Sequence, residues 1–153
     1  MPISTHVTET RVRVRYAETD ASGIAHHSAY VPWLEAGRVE WLRAIGMRYS
    51  ELEAAGYSLP VIELHIRYVA STRFDDALVV RSALSDLRSR SLRFSYELVT
   101  DEARPRQVAN GMSRHICLVD GRVGKLPPEL RDRVQAADSP PARAAGADRT
   151  QTV

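Results

Sequence analysis

The stretch that decides the fold of this 153-residue chain is Tyr16-Ala-Glu-Thr-Asp20-Ala-Ser-Gly23-Ile-Ala-His-His27-Ser-Ala-Tyr30. Ahead of it, residues 11–16 alternate between arginine and apolar side chains, a pattern that predicts a half-buried strand. After it, apolar residues recur as far as Ile45 and Gly46 follows, which predicts a helix that begins near Ser28 as N-cap. The stretch is therefore predicted to be a glycine-containing loop between a strand and a helix N-terminus.

The chemistry of this loop depends on Asp20, which lies just ahead of the predicted helix. Backbone N–H groups at a helix N-terminus have no partner inside the helix and carry a partial positive charge. They can hold a developing oxyanion while a carboxylate acts as a base or as a nucleophile. This combination suits acyl transfer, and both roles of the carboxylate stay open. No metal is expected, because His26 and His27 have no further ligands at a recognisable spacing.

The rest of the chain is predicted to form one short helix and several strands. Ser50-Glu-Leu-Glu53 has the pattern of a capping box, which indicates a helix that ends at Gly56. Strands are predicted at 61–68, 77–84, 92–98 and 107–119, with turns at 101–105 and at Asp120-Gly121. This order indicates an α+β fold in which one antiparallel sheet curls around one helix. Two copies could associate to cover the exposed edges of that sheet.

Length and composition predict one domain over residues 1–135, followed by a disordered tail at 136–153 that contains almost no large apolar side chains. The net charge of +2 is too small to indicate nucleic-acid binding. The only cysteine is Cys117, which excludes an internal disulfide and favours a reducing compartment. Since the sequence has no signal-peptide pattern and no apolar run long enough to span a bilayer, we expect a cytoplasmic protein without membrane contact.

The stretch from Tyr16 to Leu42 resembles the signature of hotdog-fold thioesterases of the 4-hydroxybenzoyl-CoA thioesterase type, a group that includes many bacterial acyl-CoA thioesterases. The matching residues are Tyr16, Thr19, Asp20, Gly23, Ile24, His27, Ala29, Tyr30, Trp33, Glu35, Arg38, Glu40, Trp41 and Leu42. Shorter matches at 67–68, 74–76 and 88–92 extend the resemblance over about residues 12–127. The long first motif carries most of the specificity.

The resemblance implies a hotdog fold, in which an antiparallel five-stranded sheet wraps around one long central helix. It implies hydrolysis of an acyl-CoA thioester to free acid and CoA, without a metal or an organic cofactor. It also implies that the functional unit is a homodimer, which in many members pairs into a homotetramer.

The resemblance also implies a role for seven residues. By position, Asp20 becomes the catalytic carboxylate, and the backbone N–H of His27 becomes the oxyanion donor. Tyr30 and Glu35 fall among the substrate-binding positions, and Glu35 occupies the place where benzoyl-specific members put an acid near the ring substituent. The positions that contact the phosphates of CoA are Arg88, Ser89 and Arg90.

Other interpretations of the same residues stay open. Glu35 and Arg38 are spaced as an i,i+3 pair and could form an ordinary surface ion pair. The segment 88–91 could be a solvated turn between two strands. A hotdog hydratase or dehydratase, or a non-catalytic acyl-CoA sensor, would show a similar pattern. The acid ahead of the helix favours hydrolysis, and no DNA-binding appendage is visible.

Overall fold

The computed structural model of the protein describes residues 3–139. Three helices and eight strands follow in the order β1 (Val7–Arg13), α1 (Tyr30–Ala44), α2 (Tyr49–Ala54), β2 (Tyr57–Ser58), β3 (Val61–Tyr68), β4 (Ala77–Leu87), β5 (Ser91–Thr100), β6 (Gln107–Ile116), β7 (Leu118–Val119), β8 (Arg122–Val123) and α3 (Pro128–Asp138). Two 3₁₀ turns, Tyr16–Glu18 and His27–Ala29, lie between β1 and α1. Among these described residues, no helix is long and apolar enough to cross a membrane.

The five long strands form one antiparallel sheet in the order β1-β4-β5-β6-β3. A second, small sheet pairs β2 with β7 and β7 with β8, and the Asp120-Gly121 turn connects the last two strands as predicted. The α1 helix packs against β1 and β4. The predicted α+β architecture, one antiparallel sheet on one long helix, is therefore confirmed.

The apolar face of α1 packs directly on the sheet. Trp41 is fully buried and meets the ring of Phe94 edge to face, with 5.2 Å between the centroids. At Gly37 the helix comes so close to β4 that an added Cβ would lie 2.5 Å from the Ser82 hydroxyl oxygen. This close approach explains why a glycine is tolerated in the middle of the helix despite its low helix propensity.

Two details near the loop differ from the sequence prediction. Tyr16 is not the last buried residue of β1, because it lies in a 3₁₀ turn, is 77% exposed and packs edge to face on Phe74. The turn is closed by the Glu18 carboxylate, which accepts the backbone N–H of Arg15 at 2.8 Å. Ser28 is not the N-cap, because it lies inside the 3₁₀ turn that leads into α1, and the ring of His26 caps that turn.

The predicted boundary after residue 135 also needs correction, since α3 runs through Asp138. One oxygen of the Asp138 carboxylate accepts the Ser4 hydroxyl at 2.7 Å and the backbone N–H groups of Thr5 and His6 at 2.8 and 3.1 Å. The end of α3 therefore anchors the start of the chain. The remainder of the predicted tail, 140–153, lies outside the described residues.

Candidate active site

The loop after β1 holds Asp20 in a tight turn. The backbone N–H of Asp20 donates to the Ile24 carbonyl at 3.0 Å, and its own carbonyl accepts from Gly23 at 2.9 Å. Gly23 adopts a φ of 75°, a conformation that side chains rarely tolerate. The carboxylate oxygen Oδ1 accepts the Ser22 N–H at 2.8 Å, and the side chain is exposed to solvent. The turn therefore fixes the carboxylate through one oxygen and leaves the other available.

The helix that follows begins with a free donor. The Nδ1 atom of His26 accepts the backbone N–H of Ser28 at 3.2 Å, and the His26 carbonyl accepts that of Ala29 at 2.9 Å. The N–H of His27 lies between them and has no acceptor among the described residues. Because the 3₁₀ turn runs directly into α1, this N–H lies at the positive end of an 18-residue helical segment, residues 27–44.

A cavity of about 400 Å³, here called the loop cavity, brings three predicted site residues together. Its lining consists of Asp20, Ile24, Ala25, His27, Tyr30, Tyr68, Val69, Ala70 and Ser71. Residues of the loop and of the helix start thus share one surface with the end of β3 and the segment that follows it. An exposed carboxylate and an unused helix N–H, from two residues that line one cavity, can act together on a polar carbonyl group.

Tyr68 is a residue of this cavity that sequence reasoning placed only in a strand. Its hydroxyl donates to the His27 carbonyl at 2.7 Å, and its ring meets Tyr30 edge to face at 4.9 Å. Burial, together with Tyr30, raises the pKa of Tyr68 above its ordinary value, so the hydroxyl stays protonated and keeps donating. Tyr68 therefore fastens the start of the helix to β3.

A second cavity of about 250 Å³, here called the helix cavity, lies farther along α1. Its lining consists of Val31, Leu34, Glu35, Arg38, Tyr49, Leu59, Pro60, Val61, Leu64, Tyr96, Ser113 and His115. Glu35 belongs to this cavity and not to the loop cavity.

The alternative of a surface ion pair between Glu35 and Arg38 is wrong, because Arg38 is only 5% exposed and is absent from the ion pairs of residues 3–139.

One wall of the helix cavity is a chain of buried hydrogen bonds. Nδ1 of His115 donates to the Leu59 carbonyl at 3.0 Å, since a carbonyl can only accept. Burial, then the charge of Arg38, lowers the pKa of His115 to about 4, so the ring is neutral at pH 7. Its Nε2 must therefore accept the Ser113 hydroxyl at 2.7 Å, and Ser113 in turn accepts the Tyr96 hydroxyl at 2.6 Å.

This neutral histidine makes the stability of the fold depend on pH. The unfolded chain binds a proton at His115 below about pH 6.5, whereas the folded chain binds it only near pH 4. The free energy of unfolding should therefore fall by about 3 kcal/mol as the pH drops between these values, and this loss should be much smaller in His115→Gln. Urea unfolding at several pH values measures it, with His65→Gln at an exposed histidine as the control. An unchanged slope in His115→Gln would contradict the assignment.

The three residues assigned to CoA phosphates lie far from the loop cavity. They form the turn between β4 and β5, whereas the Asp20 loop is at the other end of β4, where Arg13 pairs with Ala77. The length of β4 separates the two ends by roughly 33 Å. Arg88 donates to Asp86 at 2.9 Å, and the Arg90 carbonyl accepts the Cys117 N–H at 2.8 Å. Within one chain, therefore, residues 88–90 are too far from Asp20 to share a site with it.

Basic side chains nonetheless surround this turn. Arg88 and Ser89 line a cavity of about 270 Å³ together with Lys125 and Arg131. The side chain of Arg88 is 70% exposed, so its guanidinium remains accessible to a ligand. Among the described residues, no three His, Cys, Asp or Glu side chains are grouped as metal ligands.

Comparison with known proteins gives consistent matches over most of the chain. The model of the thioesterase-like superfamily matches residues 14–137. The acyl-CoA thioester hydrolase YbgC of Escherichia coli is 34% identical over 91 residues, which are 60% of this chain and 68% of YbgC.

Two solved structures show the same fold. The hypothetical protein TT1821 from Thermus thermophilus has a TM-score of 0.79 and 38% identity, and the match covers 84% of this chain and 98% of that protein. A 4-hydroxybenzoyl-CoA thioesterase mutant complexed with 4-hydroxybenzoyl-CoA has a TM-score of 0.76 at 14% identity, over 84% of this chain and 98% of that one. The second match concerns the fold alone.

Proposed function

The chain belongs to the thioesterase-like superfamily and is a hotdog-fold thioesterase, and from this premise we propose that it hydrolyses acyl-CoA thioesters at the loop cavity. The observation that carries the proposal is that Asp20, with its exposed carboxylate, and His27, whose N–H has no acceptor among the described residues, line the same cavity. A thioester carbonyl needs these two functions, an acceptor for its developing negative charge and a group that drives attack at its carbon.

In the proposed reaction the carbonyl oxygen accepts the His27 N–H, and the helix dipole stabilises the charge that develops there. Asp20 either removes a proton from the attacking water or attacks the carbon itself. The first route gives a tetrahedral intermediate that collapses with cleavage of the C–S bond. The second gives a mixed anhydride that water then hydrolyses. In both routes CoA leaves as the thiolate and the acyl group as the carboxylic acid.

The acyl group is proposed to extend from the loop cavity toward the helix cavity. Tyr30 lines the first cavity and the adjacent Val31 lines the second, so the two cavities follow each other along the same helix. On the other wall, Tyr68 and Leu64 of β3 line the loop cavity and the helix cavity, respectively. Glu35 is then near the far end of the acyl group.

A panel of CoA thioesters tests the function directly. Release of CoA thiol, followed colorimetrically, should be seen with at least one aliphatic, benzoyl, phenylacetyl or hydroxybenzoyl ester. Hydration of an enoyl-CoA without release of thiol would identify a hydratase instead. Binding of the esters without any turnover would identify a sensor.

We propose that the functional unit is a dimer that pairs β3 of two copies. β3 is an edge strand, and the apolar side chains of Val61, Ile62, Leu64 and Tyr68 are between 40% and 55% exposed. An edge strand with exposed apolar side chains favours pairing with another chain. A twofold axis perpendicular to the sheet would join the two β3 strands in antiparallel fashion and leave both α1 helices on the same face.

This dimer would bring the distant turn to the active site. A twofold rotation reverses the strand direction, so the β4–β5 turn of the partner lies at the same end of the joined sheet as the Asp20 loop. Asp20 from one chain and residues 88–90 from the other would then form one site. The CoA nucleotide would bind to guanidinium groups, which suit phosphate oxygens.

The double variant Arg88→Ala/Arg90→Ala should raise KM for CoA esters about tenfold or more and change kcat much less. Contacts with phosphates lie far from the reacting carbonyl, so they stabilise the ground state and the transition state alike. Steady-state kinetics on a CoA ester and on a short thioester without the nucleotide measures the effect. Equal losses on the two substrates would show that these arginines are structural.

Mixed dimers provide the control for the shared site. A chain with Asp20→Asn and a chain with Arg88→Ala/Arg90→Ala are each defective at both sites of their own homodimers. Their mixed dimer would contain one site with both defects and one intact site. Recovery of activity with wild-type KM on mixing is expected. No recovery, with mixed dimers confirmed by tag pull-down, would place both groups on the same chain.

A further inference from the structure

Arg38 is a charged side chain buried in the helix cavity. The residue is 5% exposed, and its buried Nη1 atom has no hydrogen-bond partner among residues 3–139. The guanidinium lies over the ring of Tyr49, with 5.4 Å from Cζ to the ring centroid. The cavity it lines also contains Glu35, but that side chain is exposed and the two groups form no ion pair.

A buried guanidinium without an acceptor is costly for the fold. Removing a charge from water costs several kcal/mol unless hydrogen bonds and an opposite charge compensate. Arginine cannot reduce this cost by losing its proton. The other polar members of the wall do not compensate, because Tyr96, Ser113 and His115 use one another and Leu59 as partners. The structure therefore contains a preformed positive group, with the Tyr49 ring against it, on the wall of a cavity that an anionic group could enter.

The apolar residues around Arg38 indicate what kind of ligand would bind in the helix cavity. Leu34, Leu59, Val61 and Leu64 give the helix cavity an apolar surface, with the guanidinium as its buried cationic group. An apolar chain that ends in a carboxylate matches this lining. Arginine is well suited to such an end, because its planar fork donates two parallel hydrogen bonds to a carboxylate.

The position of the cavity connects it with the proposed reaction. Arg38 follows His27 by eleven residues on the same helical segment, which corresponds to roughly 16 Å along the axis. Helical side chains lean toward the helix N-terminus, so the Arg38 guanidinium lies closer to His27 than the Arg38 Cα does. A carboxylate at Arg38 and a thioester carbonyl at the His27 N–H would therefore be the two ends of one extended acyl chain.

We propose that the preferred substrates are CoA thioesters of dicarboxylic acids, and that Arg38 selects them by binding the distal carboxylate. The proposal rests on the function proposed above and narrows its substrate class. Glu35 opposes a second carboxylate only weakly, because its charge is exposed to water and screened by salt. The buried guanidinium therefore decides the selectivity.

Matched substrate pairs test the proposal. Adipoyl-, suberoyl- and sebacoyl-CoA are compared with hexanoyl-, octanoyl- and decanoyl-CoA, and the readout is the ratio of kcat/KM within each pair. The wild-type protein should prefer at least one dicarboxylic ester by about tenfold or more, and Arg38→Met should abolish that preference. Arg43→Met, at an exposed arginine of the same helix, should retain it. Hydrolysis of both series without preference would overturn the proposal and leave the thioesterase function intact.

A binding measurement keeps the test independent of turnover. A CoA thioether with an ω-carboxyalkyl chain should bind more tightly than the S-alkyl-CoA of equal length, and only in proteins with Arg38. If no ester is hydrolysed, this difference in calorimetric affinity still decides the question, and its absence overturns the proposal. Without ligand, Arg38→Met should melt at the same or a higher temperature, since it removes an uncompensated buried charge. A lower melting temperature that Arg38→Lys restores would make Arg38 a structural residue and also overturn it.

Discussion

Asp20→Asn should lower kcat on the best CoA ester by at least about a hundredfold while KM changes much less. Asparagine has nearly the shape of aspartate, and its carbonyl oxygen can still accept the Ser22 N–H that holds the turn. The fold of the loop should therefore survive. What is lost is an oxygen that can take a proton or attack the thioester carbon at neutral pH. Stopped-flow or steady-state release of CoA measures the effect.

The matched control is Asp75→Asn. Asp75 is another exposed turn aspartate, with a φ of 71° that asparagine tolerates well, and it lines neither the loop cavity nor the helix cavity. Its substitution should leave kcat within about twofold, since its carboxylate makes only an exposed ion pair with Arg13, and such pairs contribute little. If Asp20→Asn retains more than about a tenth of the wild-type kcat, Asp20 is not the catalytic carboxylate. Glu35 would then be the leading candidate, and the reaction would take place at the helix cavity and not at the loop cavity.

The parts of the site that the sequence predicts are local. Asp20, His27 and Tyr30 lie within one loop and the start of one helix, so a strand, a glycine turn and a helix N-terminus are enough to predict that they meet. The alternation of apolar and polar residues within each strand is also a local pattern, and it predicts the sheet. The α1 helix and all five long strands occur where the pattern places them, with shifts of a few residues at the ends.

The helix cavity could not be predicted in this way. Its polar groups come from α1, α2, β5 and β6, and they meet only when the sheet closes on the helix. In the sequence, Arg38 follows Glu35 at the spacing of an ordinary ion pair, and nothing local shows that its side chain turns inward. Tyr96, Ser113 and His115 likewise look like alternating residues of two strands. Their hydrogen bonds depend on the register of β5 and β6.

The sequence does not predict the short helix α3, for a different reason. Only Leu130 and Val134 are buried in it, too few apolar residues to produce a visible period in the sequence. Its start at Pro127-Pro128 is a recognisable signal, because proline suits the first turn of a helix. The cytoplasmic location and the tail beyond residue 139 stay predictions from the sequence.

The role assigned to His27 depends on its backbone, and proline is the substitution that separates backbone from side chain. His27 is the first residue of the 3₁₀ turn, a position where proline is readily accommodated because its φ is already helical. The preceding His26 has φ −62° and ψ 143°, the extended conformation that a residue before proline prefers. His27→Pro therefore removes the N–H, leaves the carbonyl that accepts from Tyr68 and preserves the start of the helix.

His27→Pro should consequently lower kcat by about 10²–10³, the effect typical of losing one oxyanion donor. His27→Ala retains the N–H and should lose far less, although it removes the whole imidazole. Comparing the two variants by kcat, with circular dichroism and melting temperature to confirm that the helix is intact, distinguishes the donor from the ring. If His27→Ala is as damaging as His27→Pro, the imidazole takes part in the reaction. If neither variant affects kcat, the carbonyl oxygen of the substrate is stabilised by another group.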